Sequence, residues 1–233
     1  VYVYRKIGTA WQQEAKLAPG DVTAGDKFGY SVAIDGDTIV VGAPNDVDGG
    51  TEVGSAYVYK RGYDGWYQQQ KLTLPAFGSS DAHVGRDVDV SGDRIVLSAP
   101  WAEIGAIQSG AVFAFTQTDN YWSRTATITP PGMASGLLFG YSVSLDQTRV
   151  LTGSYGDDSY GAYSGRAYVH EFGATGWEYK ASLYDRDQAA YDWFGWDVAL
   201  DGDVALVGAP GDDDFANNCG SVFFYECTEG VWG

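Results

Sequence analysis

The stretch FGYSVAIDGDTIVVGAP, residues 28–44, holds two short alternating runs folded about a three-residue turn. Val32 and Ile34 alternate with the small or polar Ser31 and Ala33, the period of two that a strand requires. Asp35-Gly36-Asp37 supplies a tight reversal, because glycine tolerates positive φ and aspartate bonds to nearby backbone. Thr38 to Val41 then read as a second strand, and Pro44, which has no N–H for a ladder, marks its exit. The same pattern returns three times, as VGRDVDVSGDRIVLSAP from Val84, FGYSVSLDQTRVLTGSY from Phe139 and FGWDVALDGDVALVGAP from Phe194, at spacings of 56, 55 and 55 residues. Trp11, Trp66, Trp122, Trp177 and Trp232 keep that step, and so do Gly54, Gly110, Gly165 and Gly220.

Working outward, an acidic, glycine-containing loop follows Pro44, then a Tyr57-Val58-Tyr59 strand, a Tyr-Asp-Gly turn and a strand from Trp66 to Leu72. Four antiparallel strands per repeat make a blade, and a sheet apolar on both faces is stable only when others stack on it. The expected fold is an all-β propeller of blades about 55 residues long, with boundaries set by the repeat: residues 1–27 form the second half of a blade, 28–83, 84–138 and 139–193 three full blades, and 194–233 an incomplete one. A β-solenoid is the alternative, but its coils are shorter and lack this hairpin order. Val32, Ile34 and Val40, with Val88, Val90, Val96, Val143, Leu145, Val150, Val198, Leu200 and Leu206, are expected to fill the spaces between blades.

Composition agrees with many short strands and tight turns: aromatics make up 15% of 233 residues, with 32 glycines and one methionine. A formal net charge of −17 repels phosphate backbones and anionic membranes, which argues against nucleic acid as a partner. No apolar run approaches the roughly 20 residues of a membrane helix. Cys219 and Cys227 flank an apolar stretch; if it is a strand, some 26 Å of extended chain keeps them from pairing with each other.

Phe-Gly followed some fourteen residues later by Gly-Ala-Pro resembles the FG-GAP repeat, best known from the head of integrin α subunits. Phe28-Gly29 with Gly42-Ala43-Pro44 and Phe194-Gly195 with Gly208-Ala209-Pro210 match fully; Val84-Gly85 and Gly153-Ser154-Tyr155 are degraded versions. The resemblance implies part of a larger, usually seven-bladed propeller, an extracellular or cell-surface location, and adhesion or ligand binding. It does not bring the integrin calcium loop with it. The first-hairpin turns here, Asp35-Gly36-Asp37, Ser91-Gly92-Asp93, Asp146-Gln147-Thr148 and Asp201-Gly202-Asp203, are too short to supply six to eight oxygens.

Candidate calcium ligands lie instead in the loop after Gly-Ala-Pro: Asp46 and Asp48, Asp157 and Asp158, and Asp212, Asp213 and Asp214. Ordinary turn chemistry explains the same residues. Recurring aromatics at Tyr57 and Tyr59, Phe113 and Phe115, Tyr168, and Phe223 and Tyr225, with the tryptophans one strand away, suggest either core filling or glycan-stacking pockets. Catalysis has little support: His83 and His170 occupy slots filled by other residue types elsewhere, and Asp87, Asp89 and Asp197 on first strands lack a complementary base. The expectation is a non-catalytic scaffold for protein binding, adhesion or assembly with neighbouring subunits, then a glycan-binding propeller, then a glycan- or ester-directed hydrolase. Because Val1 to Tyr4 align with a third strand and the repeat is cut again at Trp232, an open arc with apolar faces needing cover is expected.

Overall fold

The computed structural model describes residues 1–48, 51–74, 81–187, 189–214, 216 and 219–233, with the side chains of Asp48, Thr51 and Glu52 outside that description. Every regular element among them is a strand. A hairpin of Tyr2–Ile7 and Ala10–Lys16 comes first. Four antiparallel four-stranded sheets follow, each in simple chain order. Blade I is Val32–Asp35, Thr38–Ala43, Ser55–Gly62 and Gly65–Leu72. Blade II is Val88–Ser91, Arg94–Ala99, Ala111–Thr118 and Tyr121–Ile128. Blade III is Val143–Asp146, Arg149–Ser154, Arg166–Gly173 and Gly176–Leu183. Blade IV is Asp197–Asp201, Val204–Ala209, Ser221–Thr228 and the short Val231–Trp232.

Alternation divides each strand between two cores. In the second strand of blade I, Val40 packs toward blade II, while Ile39 and Val41 pack back against Val3, Leu17 and Phe28. Blade II repeats this, with Ile95 and Leu97 facing blade I and Val96 facing blade III. In blade III the forward residue is Leu151, and Val150 looks back. The interblade role expected of the valines and leucines therefore holds for Val40, Val88, Val90, Val96, Val143, Leu145, Val150 and Val198, all buried, and for the partly buried Leu200.

Three of the named residues do not fill such a space. Val32 and Ile34 share their face with Val41 and Ile39, but the two-stranded N-terminal hairpin covers only the second-strand side of it and leaves them exposed; Leu206 is exposed because among the described residues no sheet lies against its face of blade IV. Val222 and Phe224, exposed by 70% and 60%, share the uncovered face of blade IV.

The repeated motif sits where blades meet. Each Phe-Gly glycine has positive φ and donates its N–H to the carbonyl of the Gly-Ala-Pro position in its own blade: Gly29 to Gly42, Gly85 to Ser98, Gly140 to Gly153 and Gly195 to Gly208. Its own carbonyl presses on the preceding blade. A Cβ at Gly42 would stand 2.0 Å from the Gly85 oxygen, and one at Gly153 would stand 2.2 Å from that of Gly195. The residue before it forms one parallel bridge to the earlier blade, as in Gly110 with Phe139 and Gly165 with Phe194.

Candidate functional site

First strands of adjacent blades are stitched together by side chains. Asp87 accepts the Val143 N–H at 2.8 Å, Asp89 accepts that of Leu145 at 2.7 Å, and Ser91 accepts that of Gln147 at 3.0 Å. The next seam repeats the device: Ser142 and Ser144 accept the Val198 and Leu200 N–H groups, Asp146 accepts that of Gly202, and the Ser142 hydroxyl donates to Asp197. Burial raises the Asp87 and Asp89 pKa values, against the lowering effect of these same N–H donors. The carboxylates that offered the best catalytic reading are engaged as acceptors, Asp87 and Asp89 from backbone N–H groups and Asp197 from the Ser142 hydroxyl.

Most of the recurring outer aromatics are core, although of the repeat tryptophans Trp66, Trp177 and Trp232 are only partly buried and Trp11 is exposed. Tyr57, Tyr59, Phe113, Phe115, Tyr168 and His170 are buried, as is Trp122, while Phe223 and Tyr225 are partly covered. Burial lowers the His170 pKa to about 4, so its ring is neutral across the physiological range. Cys219 and Cys227 are both free thiols.

The residue after each Phe-Gly glycine is different in kind. Tyr30, Arg86, Tyr141 and Trp196 gather on one end of the blades around their inner strands. The Arg86 guanidinium lies 4.0 Å from the Tyr141 ring centre and 5.2 Å from that of Tyr30, to whose hydroxyl it donates. Tyr141 meets Trp196 at 5.0 Å and Tyr155 at 4.4 Å, and Trp101 and His83 extend the row on the other side. Tyr30 and Trp196 remain exposed. Lys27, Tyr30, His83, Arg86, Trp101 and Tyr141 border a hollow of about 280 Å³ on this face. Reading the repeats by their shared letters hides this row, since Tyr, Arg, Tyr and Trp look like an unconserved slot.

The calcium candidates are not brought together as one site, because Asp46, Asp157 and Asp212 are counterparts in three different blades. All three are buried, whereas Asp158, Asp213 and Asp214 are exposed. Asp46 pairs with Lys71 at 2.7 Å, and Lys71 also holds Asp21 at 2.9 Å. Burial opposes the Lys71 charge, but its bonds to Asp46 and Asp21 outweigh that and raise its pKa. Asp157 accepts the Tyr168 hydroxyl at 2.5 Å and the Ser159 N–H at 2.9 Å. In blade II the aspartate is Ala102 and the tyrosine is Phe113, so acid and hydroxyl disappear together.

Blade IV breaks the rule. The counterpart of Tyr168 is Phe223, which has no hydroxyl to donate, and the Asp212 Oδ2 is buried with no hydrogen-bond partner. Beside it, one ligand atom each from Asp185, Asp187 and Asp192 lies within 4.8 Å of the others. Burial, then the neighbouring Asp187 carboxyl, pushes the Asp185 pKa up to about 7. Burial, then the charges of Asp187, Asp212 and Asp213, pushes Asp192 up to about 6. These three residues lie on the connection between blades, outside the loop the repeat singled out.

The FG-GAP repeat family model matches residues 11–59, 66–115, 122–170 and 177–225, and the chain belongs to this family of repeat propellers. Among solved structures it is similar to Sqt1 of Saccharomyces cerevisiae, at 10% identity and a TM-score of 0.53, over 89% of this chain and 48% of that one. This chain thus spans about half the length of that protein, and at such low identity the likeness is one of fold alone. No curated protein sequence matches.

Proposed function

We propose that this chain is a non-catalytic propeller scaffold whose binding face is the end carrying Tyr30, Arg86, Tyr141 and Trp196. The observation behind this reading is that one slot per blade, free of the packing duties its neighbours perform, is filled by rings and a guanidinium that converge and stay accessible. Tyrosine, tryptophan and arginine are the residues that dominate protein interfaces, since they bury much area for little lost rotamer freedom. Repeat propellers of this kind typically serve protein interactions and occur in extracellular or surface proteins, which favours a protein partner met outside the cell.

Two observations speak for protein over glycan and against catalysis. Most of the outer rings suited to stacking on sugars, Tyr57, Tyr59, Phe113, Phe115, Trp122 and Tyr168, are buried in the core. Asp87, Asp89 and Asp197 are engaged in holding blades together. Selection of binders from a displayed peptide library, repeated with Arg86→Ala and with Trp196→Ala, tests the reading. Enriched peptides should lose at least about tenfold in affinity with either variant, the cost of removing one central anchor. Peptides that bind both variants undiminished, or binding on a glycan array that Trp196→Ala abolishes, would overturn it.

A further inference from the structure

We propose that the junction of blades III and IV is a calcium site formed by the carboxylates of Asp185, Asp187 and Asp192, with Asp212 as a buried fourth. The case rests on a junction that solves the same electrostatic problem by another route. Residues 166 positions apart are counterparts, three repeats removed, so Asp21, Asp26 and Asp46 at blade I correspond to Asp187, Asp192 and Asp212. At blade I each acid has a donor. Lys71 bridges Asp21 and Asp46. Thr23 donates its N–H and hydroxyl to Asp26. The Tyr57 hydroxyl adds a bond to Asp21.

At blade IV two of those donors are replaced: Thr23 becomes Ala189 and Tyr57 becomes Phe223. An acid has been added as well, since Pro19 corresponds to Asp185. Among the described residues no lysine or arginine forms an ion pair with Asp185, Asp187, Asp192 or Asp212. The exposed Arg186 is adjacent in sequence but makes no such pair.

The orphaned oxygens point to a ligand. Asp212 is only 2% exposed and Asp185 only 6%, and the Oδ2 atom of each is buried without a partner. Asp212 is held at the cluster by backbone: Gly211 N–H donates to the Asp192 carbonyl at 3.0 Å, and Asp214 N–H donates to Asp212 Oδ1 at 3.2 Å, leaving Oδ2 as the atom with nothing to accept. A buried carboxylate without a donor is costly, and several together are more so, unless a cation is shared among them. Oxygen-only ligands on irregular loops match calcium, which accepts six to eight oxygens in flexible geometry, better than magnesium, which demands a near-ideal octahedron. Water or backbone carbonyls would complete the shell. Unlike the hairpin loops of integrin-type repeats, this site draws on the connection between blades.

Calorimetric titration of calcium into the chelator-stripped protein should show one saturable site, with a Kd of roughly 0.1–1 mM. The double variant Asp185→Asn/Asp192→Asn should lose about tenfold or more of that affinity, whereas Asp46→Asn should leave it unchanged. Terbium luminescence, excited through the nearby Tyr184, Tyr225 and Trp232, should follow the same pattern. A second variant guards against misfolding: Asp192→Ala/Asp212→Ala reproduces the pairing of Ala82 and Ala102 at blade II, where the counterpart ring is likewise phenylalanine. It should melt cooperatively and lose the rise in Tm that calcium gives the parent chain. No saturable binding by the parent, undiminished binding by Asp185→Asn/Asp192→Asn, or an equal calcium-dependent rise in Tm in parent and Asp192→Ala/Asp212→Ala would each overturn the proposal.

Discussion

The seam between blades III and IV and the free face of blade IV are built from counterpart residues, yet only one of them is an interface. Leu151, Ala167 and Val169 are completely buried at the seam, while Leu206, Val222 and Phe224, one repeat later, stand in the open. The same holds for glycine: a Cβ at Gly153 would strike the Gly195 carbonyl, but one at Gly208 would approach nothing closer than 3.6 Å. The repeat pattern thus specifies which side chains can form a seam, and the neighbouring blade determines whether they do.

The largest test of this contrast is a buried charge. Val169→Asp should unfold blades III and IV or cost at least about 3 kcal/mol in chemical denaturation, whereas Phe224→Asp at the counterpart position should change stability by no more than about 0.5 kcal/mol. Equal losses would show that the free face is packed in solution. Next in size is Gly153→Ala, expected to cost about 2 kcal/mol because backbone must move to admit the methyl, with Gly208→Ala near neutral in the same assay.

Tyr168→Phe isolates the acid within the seam. It leaves Asp157 buried with one donor fewer, a cost of about 1–2 kcal/mol, and the further change Asp157→Ala should recover much of it by recreating the Ala102 and Phe113 pair of blade II. A double variant as unstable as the single would break the idea that acid and hydroxyl are exchanged together. The smallest effect is one of pH. His170 has a folded pKa of about 4, below its usual 6.5, so the unfolded chain binds its proton first. Its contribution is complete above pH 6.5 and is lost as pH falls toward 4, about 1 kcal/mol between pH 7 and 5.5. His170→Phe, the residue type blade II has at Phe115, should flatten that part of the stability profile; an unchanged slope would place the titration elsewhere.

The blades were legible because backbone pairing depends on alternation and turn chemistry, which Val32 to Val41 and its copies display openly. The acidic junction was only half legible. Asp212 stands in the loop that the repeat draws attention to, but Asp185, Asp187 and Asp192 belong to the linking segment, where the copies diverge. What joins them is tertiary: Gly165 bridges to Phe194, and the Gly211 N–H bonds to Asp192. A comparison of positions 166 residues apart would have exposed the replaced threonine and tyrosine. Motif matching within one copy could not. Exposure at the free face was equally hidden, since Leu206 and Leu151 occupy the same place in the pattern.

Each family-matched segment starts on the fourth strand of one blade and ends on the third strand of the next, as in residues 66–115. A sheet is consequently shared property, closed by a ladder such as Ala111–Thr118 with Tyr121–Ile128 that ties two successive segments together. Such a ladder is made of main-chain bonds and is largely indifferent to side chains. A gene that gains or loses one segment by unequal recombination would therefore keep every clasp intact, even between copies whose motifs have drifted. Val84-Gly85 and Gly153-Ser154-Tyr155 are drift of that kind, carried without loss of a blade.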